Sequence, residues 1–110
     1  MKRKFIESTV FNRRIEALGD KSLLRNIQNE ILKNPLVGVV VPGTSGIRKV
    51  RVAKDGRGKS GSFRVFYLDL PEYSVTHLMF LLIKNERANI NQKEKKILRQ
   101  TVEKIKKEIS

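Results

Sequence analysis

The chain has 110 residues, with 24 Lys and Arg against 11 Asp and Glu, a formal net charge of +13, 39% hydrophobic residues and no cysteine. That is enough apolar sequence for one core, so the composition excludes a disordered tail, and the lack of cysteine excludes disulfides and thiolate metal sites. Residues 1–110 read as a single soluble, cytoplasmic domain with no membrane association: Glu7 interrupts the basic start before a signal-peptide core develops, and the apolar runs 36–41 and 78–83 are too short to span a bilayer.

Taken in chain order, Lys2–Glu7 is predicted as a short strand. Ser8 or Thr9 caps a helix over Val10–Leu18, Gly19 ends it, and Asp20 caps a second helix that runs to about Lys33. Leu23, Leu24, Ile27 and Ile31 share one face of that helix, and Asn34-Pro35 stops it. The link is short, so the two helices should be antiparallel neighbours. Val39–Val41 is β-prone, and Pro42-Gly43 with Gly46 marks a turn or irregular loop. Ile47–Val52 alternates basic and apolar residues as a strand does, Ala53–Gly61 reads as a hairpin loop, and Ser62–Leu70 is the returning strand. Pro71-Glu72 turns the chain into Val75–Ile83, apolar on both faces and so expected to be central and covered. Asn91 and Glu94 have capping-box spacing ahead of a last helix striped with Ile97, Leu98, Thr101, Val102, Ile105 and Ile109. The expected fold is α+β: an antiparallel meander of the last three strands, two N-terminal helices and a C-terminal helix, with the helices on one face.

The charge is concentrated. Between Arg48 and Arg64 stand seven cations, Arg48, Lys49, Arg51, Lys54, Arg57, Lys59 and Arg64, against the single acid Asp55, whereas the rest of the chain holds 17 basic and 10 acidic residues. So local an excess points to a polyanion, and nucleic acid is the leading candidate because phosphate neutralisation releases counterions. A merely solvated basic hairpin is the alternative. Strand alternation sets Lys49 and Arg51 on one face, with Arg48 on the face of Val50 and Val52. The glycines of the loop let a backbone approach a ligand, but Gly56–Lys59 lacks the spacing of a nucleotide P-loop.

Arg64 differs from the loop cations, because it lies within the apolar strand among Phe63, Val65 and Phe66. A rigid strand would aim its planar guanidinium at a phosphate, unless it forms a structural ion pair with Glu7 or Glu86. Lys84-Asn85-Glu86 ends the apolar strand, where a site or a plain exit to water are both reasonable. His77 is the only histidine, and a lone strand histidine is more often packed than catalytic. No cluster of metal ligands and no Cys or His pair is visible, so neither a metal nor a cofactor is expected. Cations alone can still promote RNA cleavage, by aligning a 2′-hydroxyl with its phosphate and stabilising the charge that develops.

Gly43-Thr44-Ser45-Gly46-Ile47-Arg48-Lys49-Val50-Arg51-Val52, followed by Gly56-x-Gly58-Lys59-x-Gly61, Arg64-Val65-x-Tyr67 and Lys84-Asn85-Glu86, resembles the RelE/ParE superfamily of bacterial toxins in order and spacing, and is most similar to its HigB branch. The resemblance covers nearly the whole chain, from Phe5-Ile6-Glu7-Ser8-Thr9 to the lysine-rich last helix. It implies a RelE-like microbial RNase fold, metal-independent cleavage of mRNA on the ribosome, and neutralisation by a cognate antitoxin. It also implies roles. Arg64 would hold the scissile phosphate, with Lys84, Lys59 and Arg57 as further catalytic cations, and Arg48, Lys49, Arg51 and Lys54 would bind RNA. Where some members carry a catalytic tyrosine or histidine after the last strand, this chain has Asn85, Glu86 and Arg87. Tyr67 reads as a core residue. The same superfamily includes ParE-like toxins, which bind DNA gyrase and are not nucleases.

Overall fold

Ser8 is where the first turn of the chain becomes fixed. Its hydroxyl accepts from Phe11 N (3.0 Å), capping the first helix, and donates to Met79 O (2.8 Å), tying that helix to a strand 71 residues away. In the computed structural model, which describes residues 3–54, 58–83 and 86–109 without the side chains of 54 and 58–61, the order is β1 (Lys4–Glu7), α1 (Thr9–Leu18), α2 (Leu23–Lys33), β2 (Val39–Val40), β3 (Arg48–Lys54), β4 (Gly58–Leu70), a 3-10 turn (Pro71–Tyr73), β5 (Val75–Ile83) and α3 (Gln92–Ile109). Gly19 ends α1 in the left-handed region, at φ 65°. Asp20 does not cap α2. It closes the turn before it, accepting from Ser22 N (3.1 Å), and the helix starts at Leu23. Asn91 and Glu94 form the expected reciprocal box at the start of α3, each carboxamide or carboxylate oxygen accepting the other's N–H at 2.8 Å.

The sheet has five strands in the order β1-β5-β4-β3-β2, antiparallel except for the parallel β1–β5 pair. It is an α+β arrangement, as the pattern predicts, with three differences. Val39–Val40 is a true edge strand. The hairpin is longer than Ala53–Gly61 suggests, since Lys54 pairs with Gly58 and the two strands take in most of that stretch. The helices cover both faces rather than one. Phe11, Leu23, Ile27 and Ile31 of α1 and α2 pack on Val50, Val65, Tyr67, Leu78 and Leu81. Leu98 and Val102 of α3 pack on Phe66, Leu68, Met79 and Leu82 from the other side. Only the centre of the α3 stripe is buried, and Ile97 is 52% exposed. A register shift opposite Phe66 and Tyr67 sends both Met79 and Phe80 to the α3 face. No helix among the described residues is long and apolar enough to cross a membrane.

Tyr67 holds the α2–β3 connection down. Fully buried, its hydroxyl donates to Pro35 O (2.8 Å) and accepts from Gly38 N (3.0 Å), and burial raises its pKa above the ordinary value. Gly38 has to be glycine, because a Cβ there would meet Arg48 Cβ and Tyr67 Cε1, both at 2.9 Å. Tyr67→Phe strands a buried N–H and a carbonyl, and should lower stability by about 1–3 kcal/mol. Urea unfolding of the two proteins measures it, and an unchanged midpoint would show the hydroxyl to be dispensable.

Candidate functional site

The strand registers decide which cations meet. Across the sheet, Lys49 stands beside Phe66 and Phe80, and Arg51 beside Arg64 and Leu82. The pleat sends Val50, Val65 and Tyr67 to the α1–α2 side, so Lys49, Arg51 and Arg64 share the α3 side. Two guanidinium groups directly opposite one another repel. Arg64 is half-buried, its Nη1 is fully buried, and that nitrogen has no hydrogen-bond partner among the described residues. Two residues along β4 on the same side, Ser62 Oγ is also buried without a partner. Unpaired buried polar atoms normally cost about 1–3 kcal/mol each. Here two of them stand on one strand face, where two arginines face each other.

The connection from β5 to α3 closes one end of this face. Glu86 N bonds to Ile83 O (3.0 Å), and Glu86 Oε1 accepts from Ile83 N (3.1 Å). The same carboxylate takes a two-point bond from Arg14 of α1 (2.8 and 3.1 Å), and the Arg14 guanidinium lies 4.9 Å from the centroid of the Phe80 ring. The hydrogen bond from Arg14 is the main cause that holds the Glu86 pKa below its ordinary value. Arg87 pairs in the same two-point way with Glu94, lowering the carboxyl pKa and raising its own. Lys49 Nζ reaches Ala88 O at 3.5 Å, so the connection folds against the cationic face.

Arg64, Lys49 and Arg51 are therefore brought together. Arg48 is on the opposite side, where its Nη1 donates to Gly38 O (2.7 Å). Arg57 and Lys84 lie outside the described residues, as do the side chains of Lys54 and Lys59, whose backbones belong to β3 and β4. Arg64 forms no ion pair among the described residues: Glu7 accepts from Asn12, and Glu86 is taken by Arg14. His77 pairs with Leu68, five residues before Leu82 on β5, which at ~3.3 Å per residue puts it roughly 16 Å from the Arg64 register. Burial lowers its pKa, so its ring is neutral at neutral pH. The described residues hold no group of three potential metal ligands. Ser62 and the Arg14–Glu86 pair were not foreseen. Alternation from Arg64 would have found Ser62, but nothing local announces a pairing 72 residues apart.

The family model described as the RelE toxin of the RelE / RelB toxin-antitoxin system matches residues 3–109. The chain belongs to the RelE toxin family. Membership makes it the toxin of a toxin–antitoxin system, with a RelB-type antitoxin as its partner. In this RelE toxin the matched segment takes in every described strand and helix, the cationic face included.

Two measurements test the site. Arg64→Met removes a buried, unpaired nitrogen and the repulsion from Arg51, so the urea midpoint should stay level or rise. A loss above about 1 kcal/mol would make Arg64 a structural cation. The second is pH dependence. Glu86 and Glu94 both have depressed folded pKa values, so their stabilisation is complete above the unfolded glutamate value, ~4.3, and is lost as pH falls through the folded values. Glu94→Gln should flatten that acid limb. Urea midpoints from pH 7 down to pH 3 would show it, and parallel curves for the two proteins would contradict it.

Proposed function

We propose that this RelE toxin is a ribosome-dependent, metal-independent mRNA endoribonuclease that inhibits translation in the cytoplasm, with residues 1–110 acting as one toxin domain of the HigB type. The observation that carries the reading is the buried, unpartnered guanidinium nitrogen of Arg64, set opposite Arg51 on a rigid sheet. An arginine in that condition is costly to keep unless an anion completes it, and a planar guanidinium matches a phosphate in two bonds.

In this reading the scissile phosphate sits on Arg64, with Ser62 beside it. The RNA 2′-oxygen bonds to phosphorus and the 5′-oxygen leaves, giving a cyclic phosphate on one fragment and a 5′-hydroxyl on the other. The proton lost by the 2′-hydroxyl is balanced by the one taken up by the leaving oxygen. Arg64 stabilises the extra negative charge on the phosphate oxygens, and Lys84, Lys59 and Arg57 are assigned as the further catalytic cations. Lys49, Arg51 and Lys54 bind the flanking backbone. Arg48, committed to Gly38 O, shapes the α2–β3 connection rather than contacting the message. The ribosome supplies what a small basic sheet lacks: a gripped message, whose in-line alignment is worth on the order of 7–11 kcal/mol in the best intramolecular cases, and a polyanionic docking surface for a protein of net charge +13.

The test compares one purified message, free and in a stalled translation complex, at matched protein concentration. Cleavage should be strong only in the complex, persist in EDTA when ribosomes stay intact, and weaken steeply with salt. Arg64→Ala and Lys84→Ala should each remove it, by about 10²–10³-fold or more in rate, at unchanged expression. Equal rates on both substrates would end the ribosome-dependent mechanism, and cleavage of neither, with toxicity retained, would point to the gyrase-binding behaviour of ParE-like toxins.

A further inference from the structure

Among the described residues, half of the large apolar side chains that stand exposed fall in one short stretch: Leu32, Leu36, Val37, Val39 and Val40, at 48%, 64%, 40%, 72% and 46% exposure. Scattered exposed apolar residues are ordinary, but a contiguous group marks an interaction surface. This one contains β2, the outermost strand of the sheet. The pleat sends Val39 and Val40 to opposite sides and both are open, so neither helical layer covers the strand on either face. Edge strands are usually protected by charge, proline or a covering element, and Val39-Val40 carries none of these within it. The strand is nevertheless held firmly from inside. Tyr67 fixes Gly38, Arg48 bonds Gly38 O, and Val41 N bonds Ile47 O at 2.8 Å. The result is a rigid ledge whose outer edge has no neighbouring strand.

What fits it follows from charge. From Ile31 to Lys54 the chain has five cations, Lys33, Arg48, Lys49, Arg51 and Lys54, and no acid. A second copy pairing edge to edge would bring those cations, and two proteins of net charge +13, against each other. RNA would match the charge but not the valines and leucines. The complementary occupant is an extended protein segment that alternates apolar and acidic residues, and the antitoxin of the pair is the protein partner the chain is known to have. We propose that the antitoxin adds such a segment to β2 as a sixth strand, its apolar side chains on Leu36, Val37 and Val39 and its acids toward the cations of β3. An added strand lies two strand spacings, roughly 10 Å, from β3, within about one Debye length of Lys49 and Arg51 at cellular salt. Docking there would therefore also weaken the field that draws in phosphate. The inference rests on the toxin–antitoxin pairing and not on the ribonuclease reading.

The experiment uses the full-length toxin and the antitoxin encoded with it, and measures the dissociation constant together with amide hydrogen exchange. Val39→Asp with Val40→Asp, at two exposed positions, should leave the urea midpoint of the free toxin unchanged and weaken the complex by 100-fold or more. In the wild-type complex the amides of residues 38–41 should exchange much more slowly than in the free toxin, and the dissociation constant should rise with added salt. Undiminished affinity of the double variant, with unaltered exchange at β2 on binding, would overturn the docking site while leaving the pairing intact. So would concentration-dependent dimerisation of the free toxin that the same two substitutions abolish, since β2 would then be the surface for a second copy. Failure of the wild-type proteins to bind at all would overturn the pairing itself. Message cleavage in the stalled complex is unaffected by any of these outcomes, so the two readings fail separately.

Discussion

Strand β4 is covered on both sides, with Val65 and Tyr67 fully buried toward α1 and α2, and Phe66 and Leu68 buried toward α3. Into that strand the sequence sets Arg64. Taking a guanidinium out of water is expensive, and a structural solution would be a carboxylate close by. The nearby acids are already committed, Glu86 to Arg14 and Glu94 to Arg87, and the residue facing Arg64 on β3 is another arginine. The rest of the molecule makes this arrangement tolerable. A sheet packed from two sides is stiff enough to hold like charges together, and its stability is drawn from two separate apolar clusters that do not depend on those cations.

The two faces of β3 show the same economy. Lys49 and Arg51 go to the α3 face, with Arg64. Arg48, their neighbour, goes to the other and bonds the backbone at Gly38. Tyr67 joins it there, so one buried hydroxyl and one arginine shape the whole passage from α2 to β3. A single peptide pleat thus separates the arginine that ties down the α2–β3 connection from the cations grouped beside Arg64. The acids at the β5–α3 connection are committed in the same way, Glu86 to Arg14 of α1 and Glu94 to Arg87.

Much of this could be read from the residues. Ser8, Gly19, Asn34-Pro35 and the Asn91–Glu94 box marked helix ends correctly because caps are local chemistry, satisfied within three or four residues. The alternation at 48–52 separated Arg48 from Lys49 and Arg51 for the same reason. Where the information was not local, the reading fell short. An apolar strand such as Val75–Ile83 shows that both faces are covered but not by which helix, so α3 could not be assigned to the far side. Val39-Val40 is too short to show a period of two. Glycines at 58 and 61 argued for a loop, and the ladder of β4 took them in regardless, since cross-strand pairing outweighs weak propensity. Asp20 had the right chemistry for a cap and used it one turn early. Ser62 was legible from its spacing to Arg64 and was passed over because a small polar residue in an apolar strand draws no notice.

The parallel pairing of β1 with β5 has a consequence for how the molecule comes into being. Lys4 lies against Val75, and Ser8 grips Met79 across 71 residues. Translation at ~5–20 residues per second separates the synthesis of those partners by roughly 4–14 s. During that interval β1 has no strand to join, and α1 has no sheet on which to bury Phe11. Loop closure over so long a stretch is also slow. The strand that completes the first is the same one that presents Leu82 beside Arg64. A nascent chain consequently lacks the strand that stands beside Arg64, and with it a finished cationic face, until Leu82 has been made.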